Sequence, residues 1–252
     1  MKIAFFDSGI GGLTVLKEAL KLLPGERFLY YADTANVPYG TKTREEVRRF
    51  IFDGVKLIAG QGVKALVIAC NTATSIAIAD LRRKYNFPIL GMEPAVKPAV
   101  TKCLGKRVLV LATPLTLKEE KFQNLVCKLD SEHIVDALAL QGLVNFAEKF
   151  IFERNIVIPY MKEMLMPFDI GQYGTVVLGC THFPFYRSFF KEIFAQGTEI
   201  IDGSVGTVKH LKNILLENND LVEKGESDIT FIRSGKKMVD DSRFIKYLEI
   251  LN

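Results

Sequence analysis

The chain has 252 residues, 48% of them hydrophobic and 25% charged, with a net charge of +4 at pH 7. That length can bury one large core or two smaller ones, and the balance excludes a disordered or fibrous protein. Basic residues are interspersed with acids, as in Thr43-Arg44-Glu45-Glu46-Val47-Arg48-Arg49, so they read as solvated helix faces and no nucleic-acid partner is expected.

Ile3-Ala4-Phe5-Phe6 reads as a first strand and Asp7-Ser8-Gly9-Ile10-Gly11-Gly12 as the turn after it. Glycines there let backbone approach a ligand, and Ser8 or Thr14 can cap the helix expected over 13–23. The turn has neither GxGxxG nor a following Lys-Ser/Thr pair, which argues against nucleotide binding. A second strand at 28–32 leads into the polar loop from Asp33 to Gly40, and an amphipathic helix covers 43–59. After a strand at 66–69 and a helix to Lys84, a strand at 88–92 closes at Glu93-Pro94. Pro94 and Pro98 then bracket a crossing segment, beyond which the pattern starts again. A strand at 107–112 ends in the hydroxyl-rich turn Thr113-Pro114-Leu115-Thr116; a helix over 118–128, a strand at 135–139 and a helical region from Leu143 follow. The strand reaching Cys180, a helix over 186–194 and a strand ending at Asp202 close this second pass. A helix from Gly206 to Leu216, a late strand at 228–235 and a final helix over 242–251 return to the first half.

Strands alternating with helices at this spacing mean parallel sheet with right-handed crossovers. The expected fold is α/β: two similar open, mostly parallel sheet domains related by internal duplication, with the active site in the cleft between them. The first comprises 1–97 plus 207–252 and the second 98–206.

Two stretches carry the chemistry. In LVIACNTATS (66–75) and VVLGCTHFP (176–184) an apolar strand ends in a small residue, a cysteine and a hydroxyl. Each cysteine thus sits at the carboxyl edge of its sheet, where open α/β folds bind ligands. At Cys70 the start of a helix is expected to lower the thiol's pKa. Alone, Cys70 is more readily a packed thiol; a second thiol in the same context points to a paired function. A disulfide exchange pair lies closer in sequence, a zinc site needs more ligands than Cys180 and His182, and a Cys–His hydrolase leaves one thiol unexplained. Proton transfer on opposite faces of one carbon uses both, because a thiolate and a thiol exchange roles when the reaction reverses. Ser8, Asn71, Thr72 and Thr181 suit a substrate carboxylate, and Asp7 an ammonium. No chemistry is assigned to Cys103 and Cys127, Glu93 and Asp202 read as structural, and Phe183 to Phe190 as core or subunit interface. The cysteine spacing, the lack of a run of about 18 apolar residues and the lack of a secretory pattern imply a reducing cytoplasm and no membrane partner.

FDSGIGGLTVL (6–16), YADTANVPYGTK (31–42), ACNTATS (69–75) and LGCTHFP (178–184) resemble the signature segments of the glutamate racemases of the aspartate/glutamate racemase family, and the resemblance spans nearly the whole chain. It implies interconversion of L- and D-glutamate with no cofactor and no metal, supplying D-glutamate to peptidoglycan; aspartate racemase or a related two-cysteine isomerase is the alternative. By resemblance Cys70 deprotonates D-glutamate, Cys180 deprotonates L-glutamate, and Asp7, Glu148 and His182 assist. The implied substrate contacts are Asp7, Ser8, Pro38, Tyr39, Gly40, Asn71, Thr72, Thr113, Thr116, Thr181 and His182. A homodimer is expected from the same source. The chain departs from the family pattern at Asn36, usually Arg, at Asn145, usually Pro, and in a Gly91–Pro94 segment one residue short. It begins close to Phe5-Phe6-Asp7, without the extension of members activated by a cell-wall precursor, so no such activation is expected.

Overall fold

The computed structural model describes residues 1–102, with Lys102 by its backbone alone, and 105–251. Cys103 lies outside the described residues. The first half runs β1 (Lys2–Asp7), α1 (Leu13–Leu22), β2 (Arg27–Ala32), a 3-10 turn at Tyr39–Thr41, α2 (Arg44–Ala59), β3 (Val63–Ile68), α3 (Asn71–Lys84) and β4 (Ile89–Gly91). The second runs α4 (Val96–Lys102), β5 (Arg107–Ala112), α5 (Pro114–Lys118), α6 (Glu120–Leu129), β6 (Val135–Ala139), α7 (Gln141–Glu148), α8 (Arg154–Leu165), β7 (Tyr173–Leu178), α9 (Arg187–Ile193) and β8 (Glu199–Asp202). The chain then returns through α10 (Ser204–Glu217), β9 (Asp228–Arg233), β10 (Lys236–Lys237) and α11 (Ser242–Ile250).

The duplication expected from the sequence is visible in the topology. One sheet has the order β10-β9-β2-β1-β3-β4 and the other β6-β5-β7-β8, so β2-β1-β3-β4 and β6-β5-β7-β8 are the same arrangement. All pairings are parallel except β9 with β10. Even an irregularity repeats: the register slips after Lys2 between β1 and β3, and after Arg107 between β5 and β7.

These strands are near-continuous apolar runs because helices cover both sheet faces. On one face of the first sheet, Phe6, Leu66 and Ile68 pack with Val47, Ile51 and Val55 of α2. On one face of the second, Val108, Val110 and Val177 pack with Val96, Ala99 and Phe122. The opposite faces share one continuous core. It joins Ile3, Phe5 and Val67 of the first sheet to Leu109, Leu111 and Val176 of the second, with Leu211, Phe244 and Tyr247 of the returning helices between them. The site lies where the two sheets meet.

Local details differ from the sequence reading. The segment bracketed by Pro94 and Pro98 is not a plain crossing but helix α4, in whose first turn Pro98 falls, where its missing N–H costs nothing. The hydroxyl-rich turn at 113–116 is itself the start of the short helix α5, and extended Glu119 (φ −69°, ψ 132°) separates it from α6, the helix expected over 118–128. Neither Ser8 nor Thr14 caps α1: its N-cap is Gly12, and the Thr14 hydroxyl donates to the carbonyls of Gly11 and Thr181. Thr43, taken as the first residue of α2, is its N-cap in a capping box with Glu46. Helix α8, with Pro159 inside it, has no counterpart in the sequence reading.

Candidate active site

Asp7 ends β1, Cys70 follows β3, Thr113 follows β5 and Cys180 follows β7, so the central strands of both sheets deliver their carboxyl ends to one place. A small, nearly filled cavity there is lined by Ser8, Tyr39, Gly40, Cys70, Asn71, Thr72, Thr113, Val144, Gly179, Cys180, Thr181 and His182. Among the implied substrate contacts, Asp7, Thr116 and Pro38 do not line it. Asp7 and Thr116 are buried behind it, and Pro38 precedes the 3-10 turn that carries Tyr39 and Gly40. Val144 and Gly179 line it without having been singled out from sequence.

Cys70 is the N-cap of α3 and its Sγ accepts the Ala73 N–H at 3.4 Å. The expected lowering of its pKa does not follow. Burial dominates, the Asp7 charge adds to it, and the thiol is pushed up to about 12. Asp7 is itself fully buried. Its Oδ1 accepts the Gly9 N–H at 2.9 Å and its Oδ2 accepts the Thr181 hydroxyl at 3.1 Å. It therefore holds a turn and a hydroxyl of the other half rather than a helix cap. Desolvation raises its carboxyl to about 6, against the lowering effects of His182 and its hydrogen bonds.

Cys180 has different company. Its Sγ lies 3.7 Å from His182 Nδ1, and His182 Nε2 lies 2.8 Å from Glu148 Oε1, which also accepts the Ile10 N–H at 2.9 Å. Burial alone would favour neutral imidazole, but the bonds to Cys180 and Glu148 outweigh it and hold His182 well above its usual range. Burial likewise opposes charge on Glu148, and His182 more than compensates, keeping that carboxylate below its ordinary value. Protonated, the ring donates to a sulfur on one side and a carboxylate on the other. Glu148, which local sequence would leave on a surface helix, is brought in by α7.

The glycine turn also lets the second half come close. Its close approach is to side chains of the second half. A Cβ at Gly9 would stand 1.8 Å from Glu148 Oε1, and one at Gly11 would stand 2.3 Å from Thr181 Oγ1 and 2.5 Å from His182 Nδ1. Across the cavity, the hydroxyls of Thr72, Thr113 and Thr116 form a triangle with sides of 3.0, 2.8 and 2.9 Å, joining the two halves. Tyr39 is fixed by donating to Asp33 at 2.6 Å, and Asn36 donates to both oxygens of the same carboxylate. Cys127 is exposed on α6, Glu93 pairs with Lys121, and Asp202 pairs with Arg187 and caps the Ser204 N–H, all away from the cavity. Phe183, Phe185 and Phe190 are core. Among the described residues no group of three or more His, Cys, Asp or Glu is arranged to hold a metal ion, and no helix is long and apolar enough to cross a membrane.

Residues 14–211 match the model of the Asp/Glu/Hydantoin racemase family. A glutamate racemase of Halothermothrix orenii is 59% identical over all of this chain and 99% of its own length. Glutamate racemase 2 of Bacillus subtilis is 58% identical over 98% of this chain and 94% of its own. Among solved structures, glutamate racemase from Francisella tularensis in complex with D-glutamate superposes with a TM-score of 0.83 at 29% identity, over 98% of this chain and 93% of that one.

Proposed function

Since this chain belongs to the Asp/Glu/hydantoin racemase family, we propose that it interconverts L- and D-glutamate by proton transfer between two cysteines. The observation that carries the reading is the pair of buried thiols, Cys70 and Cys180, lining one small cavity from equivalent edges of the two sheets.

In the L-to-D direction the Cys180 thiolate, held beside the His182 imidazolium, removes the α-proton. Cys70 then delivers its own proton to the opposite face of the carbon. Burial keeps Cys70 a thiol at neutral pH, which readies it for this acid role. Afterwards Cys180 is the thiol and Cys70 the thiolate, the protonation state the D-to-L direction needs. Asp7, buried beside Cys70 and bonded to the Gly9 N–H and the Thr181 hydroxyl, opposes charge on the Cys70 sulfur and so keeps it a proton donor. Glu148 orients and charges His182. Asp7, Asn71 and the hydroxyls of Ser8, Thr72, Thr113 and Thr181 supply the partners for an ammonium and two carboxylates. The family role supports supply of D-glutamate for peptidoglycan by a cytoplasmic homodimer.

The test follows optical rotation of L- and D-glutamate in D2O with EDTA and without pyridoxal phosphate. Racemisation with deuterium at the α-carbon, lost on replacing either Cys70 or Cys180 by serine, is the expected result. Turnover of aspartate but not glutamate would keep the two-thiol mechanism and discard the substrate. Racemisation that survives either substitution would discard the mechanism.

A further inference from the structure

Among the described residues, three buried side-chain polar atoms have no hydrogen-bond partner: Asn71 Oδ1, Gln141 Oε1 and Ser204 Oγ. Such atoms are costly to leave unmet. Asn71 lines the cavity and already has a part in the reading above. Gln141, the first residue of α7, has none.

Its amide stands against Gly40, which lines the cavity. A Cβ added to Gly40 would lie 2.4 Å from Gln141 Oε1 and 2.7 Å from Thr113 Cβ, and both Gly40 and Thr113 are cavity-lining. The backbone beneath it is fixed, since the Gly142 N–H donates to Tyr160 Oη at 2.9 Å and a Cβ at Gly142 would strike the Tyr160 ring at 2.4 Å. The acids of the site, Asp7 and Glu148, both approach Gly9 and not Gly40, and it is beside them that an ammonium is favoured. The Gly40 side holds the hydroxyl triangle and is left for the far end of the substrate. Three hydroxyls own three protons, and each one turned toward a substrate carboxylate is taken from the triangle. A carboxylate arriving there needs a further donor.

We propose that Gln141 is a specificity-determining residue whose side-chain amide donates a hydrogen bond to the distal carboxylate of the dicarboxylic amino acid. Its present partner is weak: Nε2 reaches Asn145 Oδ1 at 3.4 Å. Turning both terminal amides by half a revolution leaves the heavy-atom positions in place, passes the donor role to Asn145 and aims the Gln141 N–H at the cavity. Asn145, one of the departures from the family pattern, is then the residue that receives Gln141 Oε1.

This inference rests on the glutamate reading, so the parent enzyme is assayed in the same series. KM and kcat for L- and D-glutamate are measured for the parent, Gln141→Met and Gln141→Glu, with thermal unfolding of each alongside. Met matches the length of Gln without an N–H and should raise KM about tenfold in both directions, with kcat changing less than about threefold. Glu is isosteric but repels a carboxylate, and should raise KM further, to about a hundredfold. Should Gln141→Met not fold, Gln141→Leu takes its place. KM within about twofold of the parent in both variants, a Gln141→Glu KM below that of Gln141→Met, or a loss confined to kcat overturns the assignment. A parent inactive on glutamate removes the reading beneath it, and both fall.

Discussion

Cys70 and Cys180 occupy the same place in two copies of one fold, each just past the strand beside the first strand of its half. Their surroundings are nonetheless unlike. Cys180 is backed by an imidazole and a carboxylate, whereas Cys70 caps a helix beside a buried acid. Duplication supplied two equivalent backbone positions, and the groups beside each thiol are ones that the duplication did not copy. Several of those groups come from the opposite half: the Ile10 N–H holds Glu148, and Thr181 holds Asp7.

The sharpest test of this comparison removes each thiol. Cys70→Ser and Cys180→Ser should each lower racemisation about 10²–10⁴-fold, the usual worth of a positioned acid or base. Solvent deuterium should still exchange into one enantiomer only, D-glutamate for Cys180→Ser and L-glutamate for Cys70→Ser, as NMR of the α-proton would show. Exchange into both enantiomers in either variant would mean that the thiols do not divide the faces.

Next in size is the His182 side. Gly11→Ala drives a methyl into His182 Nδ1, and kcat should fall about 10–100-fold with the fold retained by circular dichroism. Because the two enantiomers have equal free energy, kcat/KM must fall equally in both directions. Unequal loss belongs to kcat, and it should be larger for L-glutamate as substrate.

Asp7→Asn probes the Cys70 side twice. The parent's kcat/KM should rise with pH through an apparent pKa near 6, the value given by the buried carboxyl, and this limb should vanish in the variant. The stability effect has the opposite sign. A carboxyl whose folded pKa is raised from 3.8 to about 6 stabilises the fold fully below 3.8 and loses that contribution as pH rises through 6. Asp7→Asn should therefore be more stable than the parent at pH 8 by about 2–3 kcal/mol in urea unfolding, and no more stable at pH 3.5. Equal stability at pH 8 would mean that the carboxylate is better solvated than its burial indicates. Smallest of all, Cys127→Ser on the exposed face of α6 should leave activity unchanged and stability within about 0.5 kcal/mol.

The strands were legible because buried parallel strands are short apolar runs bounded by turns, and the cysteine motifs were legible because their context repeats; the order of the strands within each sheet was not read. What escaped was non-local. Glu148 at Gly9, Thr181 on Asp7 and Gln141 behind Gly40 join residues more than a hundred positions apart, and no periodicity registers such contacts. The same holds for the Cys70 pKa. Cys70 at a helix start was readable as a lowered thiol, but the burial that reverses it depends on what the second half lays over it. The break at Glu119 and helix α8 around Pro159 escaped for a local reason, since propensity there was overridden by packing.

The last helix bears on how the activity arises during synthesis. Tyr247 Oη donates to the Ala147 carbonyl at 2.7 Å, and Arg243 donates to the Glu148 carbonyl at 2.7 Å. The backbone that carries the histidine's carboxylate is thus braced by residues translated about a hundred codons later. A ribosome-bound chain can have both thiols, His182 and Glu148 already made and still lack that brace. Both contacts come from the nine residues of α11, so the backbone at Glu148 takes its last support only when that helix docks.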